Sequence, residues 1–505
     1  MKQRIILALL IVFAAFTSCS DDNELMQAPT ISGVEDAYTL LEGAKLELNP
    51  TFKNIENATF LWHLNGQVVA TTQSYLFDKT NPGEYNLVLK VSNEGGVAEY
   101  PTTIVVGPKD FTFDAVAHTL LSIELPDYVK DNGAIEWEVL SSASELYRFS
   151  QMAVESEEEG EKEESHLFVA AEAGEYLLQL TSGDIKGEVT IVVGENEKEV
   201  SPYFAYALDY MPAPGQFVNK LPKYEDGDTP EDMNAKVAES IVGEDASMIT
   251  LGGWGGYVTM GFDHTIVNVA GKMDFRIDGN AFGANANPKP NAPFGGSCEP
   301  GIILVSYDAN GNGKADDEWY EIAGSGNFTG ENENFYQMGI DNGNDMATHR
   351  DFEMTYHKPK VETPANITDY IFWTNNKGGK GYKFKHHFHK QSYYPLWVKD
   401  ETITFKGIRL AENGIDESGQ GNYFVLYGFN YGYVDNYPNR DDRSAIDIDW
   451  AIDKNGNKAN LPGIDFVKIY NGVDQENGWL GEASTEVARG NDLHLLGISI
   501  NTIAE

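Results

Sequence analysis

Thr59-Phe60-Leu61-Trp62-His63-Leu64-Asn65-Gly66-Gln67-Val68-Val69-Ala70 places apolar side chains in strand-like spacing on both sides of an Asn-Gly pair. Period-two spacing sets one row of side chains on one face of an extended strand, and Asn-Gly accepts the positive φ angles of a two-residue hairpin turn. The stretch is predicted to be a β-hairpin with Trp62 as a core residue. Downstream, Pro82-Gly83-Glu84-Tyr85-Asn86-Leu87-Val88-Leu89-Lys90-Val91 is a third strand opened by turn residues. Composition extends this reading to the whole chain. Its 505 residues include 50 glycines and 26 tyrosines, with 41 % apolar residues, and stretches of helical apolar spacing are few. The fold class is therefore all-β.

A central Trp and a Tyr that opens a late strand suggest an immunoglobulin-like sandwich over residues 28–107, and the segment resembles a PKD-type module. A weaker copy covers residues 108–195, where Ile135-Glu136-Trp137-Glu138-Val139 and Gly174-Glu175-Tyr176-Leu177-Leu178 repeat the two signatures. The second copy has a longer Trp-to-Tyr spacing, which includes the acidic run Glu155 to Glu164, expected to be a solvated excursion. Trp62 and Trp137 are both expected in cores, and the two modules are expected to act as spacers or presenters.

Lys2 and Arg4 precede an apolar run from Ile5 to Phe16 that is too short to cross a bilayer, so residues 1–18 are expected to be a signal peptide. Phe16-Thr17-Ser18-Cys19 resembles a bacterial lipobox, which implies lipidation of Cys19. The acidic tether over residues 19–27 is similar to the export signal of Bacteroidota surface lipoproteins. A lipid-anchored protein on the outer face of the outer membrane is the expectation. With 36 basic and 78 acidic residues the formal charge is −42, which excludes an electrostatic nucleic-acid binder. Cys298 is the only other cysteine, so there is no disulfide scaffold.

Residues 201–505 carry recurrent short strand candidates separated by Gly, Asn and Pro, expected to form one large β-sandwich, jelly-roll-like with long loops. Thr229-Pro230-Glu231-Asp232 opens one predicted helix, running to Ile241. The sharpest motif runs from Asp308 to Glu318. Asp308, Asn310, Asn312, the Lys314 carbonyl and Asp316 match the spacing of a loop that wraps calcium, with Gly313 at the reversal. Position twelve is Trp319, so Glu318 or Asp317 must replace the usual last ligand. Asp453-Lys454-Asn455-Gly456-Asn457 has the same opening without downstream acids and is expected to be a plain turn.

His386-His387-Phe388-His389 is the one histidine cluster; on a strand only His387 and His389 would share a face, which is weak support for a metal. Cys298 is expected to be a buried free thiol. No nucleophile elbow, zinc-protease motif or phosphate loop is present, and the chain is expected not to be an enzyme. Aromatic and glycine-rich runs nominate ligand platforms instead: Trp254, Tyr257, Tyr393, Tyr394, Trp397, Tyr431 and Tyr433. Flat apolar faces beside approachable backbone suit a large neutral ligand, sugar or corrin.

The phrases Leu251-Gly252-Gly253-Trp254-Gly255-Gly256, Gly295-Gly296-Ser297-Cys298-Glu299-Pro300-Gly301, Tyr307 to Tyr320, His389-Lys390-Gln391-Ser392-Tyr393-Tyr394-Pro395-Leu396-Trp397 and Leu461-Pro462-Gly463-Ile464-Asp465 together resemble the PKD-domain surface lipoproteins of gut Bacteroidota that accompany vitamin B12 transporters. The resemblance implies capture of cobalamin as a ligand and its delivery to an outer-membrane TonB-dependent transporter with associated lipoproteins. Imidazole is a possible axial ligand for cobalt, so the histidine cluster acquires a second reading. Two alternatives remain open: a calcium-stabilised carbohydrate-binding surface lipoprotein of a glycan-utilisation system, and a calcium-dependent hydrolase.

Overall fold

The computed structural model describes residues 26–155, 162–284 and 291–503. The expected leader, Cys19, all but the end of the tether and most of the acidic run lie outside the described residues. The chain divides into two compact units, residues 1–111, 125–138 and 179–188 in one, and residues 112–124, 139–178 and 189–505 in the other. The division therefore runs across the second sequence module. No described helix is long and apolar enough to cross a membrane.

The hairpin quoted above forms between strands Thr59–Leu64 and Gln67–Ala70, with Asn65 at φ 51° and Gly66 at φ 82°. The Asn65 side chain also fixes the turn, its Oδ1 accepting the Asn86 N–H at 2.8 Å. The sheet has the order Ala37–Leu41, Gly96–Gly107, Gly83–Asn93, Thr59–Leu64, Gln67–Ala70, and its first pair is parallel. Trp62 is fully buried, donates its indole N–H to the Thr72 carbonyl at 2.9 Å and stacks on Tyr75. Tyr85 O–H donates to the Asn81 carbonyl four residues upstream, the corner expected of an immunoglobulin-like sandwich.

In the second module, strands Phe111–Val116, Ile185–Gly194, Gly174–Ser182 and Ile135–Ser141 form one sheet in that order; Leu121–Ser122, Lys162–Ala170 and Tyr147–Glu155 form another. Tyr176 repeats the corner, donating to the Glu172 carbonyl at 2.9 Å. The parallel with Trp62 fails at Trp137, which is only half-buried, while Val139 and Leu140 are exposed. Ile135–Ser141 is an edge strand, and an edge offers less cover than the middle of a sheet.

Within residues 189–505, the dominant sheet has six strands in the order Tyr206–Met211, Tyr257–Val267, Gly463–Asn471, Gly301–Ser306, Tyr320–Ile322, Ala451–Ile452. Two adjacent interior strands, Tyr257–Val267 and Gly463–Asn471, are buried on both faces for almost their whole length, so their apolar residues run on without clean alternation. Val258, Met260, Ile464, Val467 and Ile469 are core residues there. Among the described residues, four smaller sheets accompany it. The predicted helix is Pro230–Ile241, closed by a reciprocal cap in which Thr229 Oγ1 accepts the Asp232 N–H and Asp232 Oδ2 accepts the Thr229 N–H.

Trp62→Ala should cost about 3–5 kcal/mol, Tyr176→Phe about 1 kcal/mol, and Trp137→Ala clearly less than Trp62→Ala, measured by urea denaturation. Equal costs for the two tryptophans would contradict the assignment of Trp137 to a thinly covered edge strand.

Candidate functional site

Most of the aromatic side chains nominated from sequence are structural. Trp254, Tyr393, Tyr394, Trp397 and Tyr433 are buried, and each has a partner inside the fold. Trp254 donates to the Ile408 carbonyl and meets Phe352 edge-on; Tyr394 O–H donates to the Asp400 carbonyl; Tyr433 O–H donates to Asn327 Oδ1 at 2.6 Å. The Tyr393 hydroxyl accepts the His386 N–H, and Trp397 stacks on Tyr210. Tyr257 is half-buried, its hydroxyl donating to Asp209 and its ring under the Lys468 ammonium at 3.9 Å. Tyr431 packs on Trp450. The correction has a simple cause: glycines beside these rings give them room to pack. At Gly324, for instance, an added Cβ would lie 2.5 Å from the Tyr433 ring.

Besides Phe328 and Tyr382, the outward-facing aromatics among the described residues include Phe282, Phe388 and Trp479, 59 %, 70 % and 57 % exposed. All three line one cavity of about 400 Å³, with Gln216, Phe217, His389, Asn280 and the acids Glu299, Glu482 and Glu486. Each aromatic is carried by a different segment. Phe282 lies in the short strand Phe282–Gly283, paired with Gly295–Ser297; Phe388 lies in the turn closed by the His389 N–H and His386 carbonyl; Trp479 lies in the 3-10 turn Gly478–Leu480. Trp479 is anchored by its indole N–H to the Asn422 carbonyl at 3.1 Å, which leaves much of the ring exposed. Because His386–His389 is a turn, the strand-face argument for His387 and His389 does not apply; His389 instead packs edge-on against Phe217.

Beneath the aromatics the cavity is polar. Glu299, Asp435 and Glu486 each bring a carboxylate oxygen within 4.8 Å of the other two. Backbone and hydroxyl donors orient them. Asp435 Oδ1 accepts the N–H groups of Asn280 and Ala281, both at 2.7 Å; Glu299 accepts the Ser484 N–H; Glu486 accepts Thr250 Oγ1–H and the Asn280 amide. Burial, reinforced by mutual repulsion, raises the pKa of Glu299 and Glu486 above the carboxylate range; burial alone raises that of Asp435. Asn477, also lining the cavity, is 1 % exposed, and its side-chain amide makes no hydrogen bond among the described residues. Sequence reasoning missed this floor because acids are everywhere in the chain and only the fold makes these three converge.

The loop predicted to wrap calcium closes on itself. Asp308 accepts the N–H groups of Asn312 and Gly313 at 3.0 and 2.7 Å, Asn312 Oδ1 accepts the Lys314 N–H, and the Asn312 amide donates to Asp316. Glu318 accepts Tyr320 O–H, and Asn310 Oδ1 accepts the Asn312 N–H. Asp453 makes the same closure with Asn455 and Asn457. The donor chemistry is that of a hard cation, yet its carboxylates are not among the described groups of three that lie within 4.8 Å. Cys298 is buried, its thiol pKa pushed up by burial.

Residues 29–93 match the PKD-like domain family, so the chain contains a PKD-like domain. No curated protein matches. A titin fragment, I67–I69, aligns with 34 % of this chain and 66 % of its own at 12 % identity and a TM-score of 0.16. The PKD domain of human KIAA0319 aligns with 18 % of this chain and 93 % of its own at 17 % identity and 0.15. A quinoprotein alcohol dehydrogenase-like protein from Bacteroides thetaiotaomicron aligns with 35 % of this chain and 44 % of its own, at 18 % identity and 0.16.

The raised carboxyl pKa values have a definite sign in stability. The folded chain keeps protons that the unfolded chain releases, so the stability from this cluster is lost as pH rises from about 5 toward 8. The melting temperature should fall across that range, and fall less in Glu299→Gln. Identical pH profiles would remove the cluster as the cause.

Proposed function

We propose that this chain is a surface lipoprotein that captures cobalamin without converting it and passes it to an outer-membrane TonB-dependent transporter. The observation that carries the reading is the open cavity of about 400 Å³ with three exposed aromatics above a hydrogen-bonding floor. A soluble surface ordinarily hides such rings, and three carried by separate segments around one cavity suit a bulky ligand with flat apolar faces and an amide periphery. The cavity takes an edge of such a ligand while the rim holds the remainder. The sequence resemblance names the corrin. Capture also fits a site with no identified nucleophile-and-base pair.

Calorimetry of the full chain with cyanocobalamin should show saturable binding. Trp479→Ala and Phe388→Ala should each weaken it at least about tenfold, about 1.4 kcal/mol or more. Absence of heat, with binding of a glycan in a parallel panel, would replace the reading by the carbohydrate-binding one, which the same aromatic rim also serves.

Calcium at the Asp308 to Glu318 loop belongs to the same proposal as a brace. Its expected ligands are Asp308, Asn310, Asn312, the Lys314 carbonyl, Asp316 and Glu318. Added calcium should raise the melting temperature of the unaltered chain and not that of Asp308→Ala. No shift in the unaltered chain discards calcium and leaves the capture reading intact.

A further inference from the structure

A second convergence of ligating side chains lies away from the aromatic cavity. His118, His264 and Asp492 each place one ligand atom within 4.8 Å of the other two, and all three are buried. His264 projects from strand Tyr257–Val267, with Nε2 2.9 Å from Asp492 Oδ2 and Nδ1 3.0 Å from Asp263 Oδ1. Asp263 is itself held by the Ser201 N–H, and the other oxygen of Asp492 accepts the N–H groups of His494 and Leu495. Both partners of the His264 ring are thus fixed in place.

His118 is the unusual member. Its backbone is pinned on both sides, N–H to the Ala170 carbonyl and carbonyl to the Thr265 N–H, and its φ is +61°, a region that a histidine enters at a cost. Its ring stands edge-on to His264 at 5.4 Å between centroids. The residue is 8 % exposed, and its Nδ1 has no hydrogen-bond partner among the described residues. A buried imidazole nitrogen left unsatisfied lowers stability, and neither the strand pairing nor the positive φ calls for histidine here. A cavity of about 500 Å³ opens beside the cluster, lined in part by His118, His264, Asp263, Asp308 and Asp465.

We propose that His118, His264 and Asp492 form a binding site for a divalent transition cation of the zinc class. Two imidazole nitrogens and one carboxylate oxygen are a donor set for zinc rather than calcium, and three protein ligands leave a fourth position for water. The Asp263 carboxylate on the far side of His264 is the outer partner that orients a metal-bound imidazole. The cation takes the place of the proton now bridging His264 and Asp492, so binding releases that proton to solvent. In this role the cation ties residues 112–124 to the interior strand Tyr257–Val267, both within the second compact unit.

The test is zinc chloride titrated into the full chain after chelator treatment and dialysis, with calcium chloride in parallel and cobalt chloride followed by its visible ligand-field bands. One zinc site insensitive to excess calcium is expected, weakened about 100-fold or more in His118→Ala and about tenfold in Asp263→Asn. The cobalt bands should vanish in His118→Asn, which keeps a residue tolerant of the positive φ, and persist in the His387→Ala, His389→Ala double variant. Zinc affinity unchanged by both His118 substitutions, or no ligand-field bands in the unaltered chain, would overturn the proposal.

Discussion

The burial of two adjacent strands on both faces organises the larger unit. Tyr257–Val267 and Gly463–Asn471 pair antiparallel as interior strands of the six-stranded sheet, and neither can be displaced without exposing apolar side chains on two sides at once. Because these strands are fixed, so are the groups at their ends and on their edges. His264 and its neighbour Asp263 stand on the first strand; on the second, Asp465 receives Thr265 O–H, and the Asn471 amide clamps the Gly252 and Ala483 carbonyls. The Asn471 clamp connects the Gly-rich run after Leu251 to the segment leading into Glu486, one of the acids beneath the exposed aromatics.

The acidity of the chain is handled differently inside and outside. Most carboxylates are solvated, and a net charge of −42 opposes self-association. The buried ones are satisfied by backbone N–H groups more than by cations: Asp435, Glu299 and Asp274 each accept main-chain donors, whereas Lys383 is a buried ammonium facing Asp474 and Glu476 at 3.7 and 3.4 Å. A carboxylate held by main-chain donors is oriented without a neutralising partner, which leaves a polar floor able to present acceptors, or a retained proton, to a neutral ligand.

Local chemistry made part of the fold readable. The Asn65-Gly66 hairpin, the strands that open at Gly83-Glu84-Tyr85 and Gly174-Glu175-Tyr176, and the helix start at Thr229 each follow from a few adjacent residues, and the structure shows all of them. Trp137 was misjudged because its exposure depends on an edge position that only strand order reveals. The buried aromatics Trp254, Tyr393, Tyr394, Trp397 and Tyr433 were misjudged as ligand platforms for a related reason. A Gly-aromatic run packs a ring as readily as it presents one, and the difference lies in what other segments bring opposite. Phe388 and Trp479 carried a weak signal, each beside turn or polar residues; Phe282 carried none. The convergence of Glu299, Asp435 and Glu486, from segments far apart in the chain, left no sequence trace at all.

The central claim is that the cavity framed by Phe282, Phe388 and Trp479 holds the vitamin. The most direct measurement is an experimental structure of the chain with cyanocobalamin bound. The account predicts ring or side-chain amide density of the ligand against those three aromatics with Glu299, Glu486 and Asn280 below; cobalamin bound elsewhere, with the cavity vacant, would contradict it.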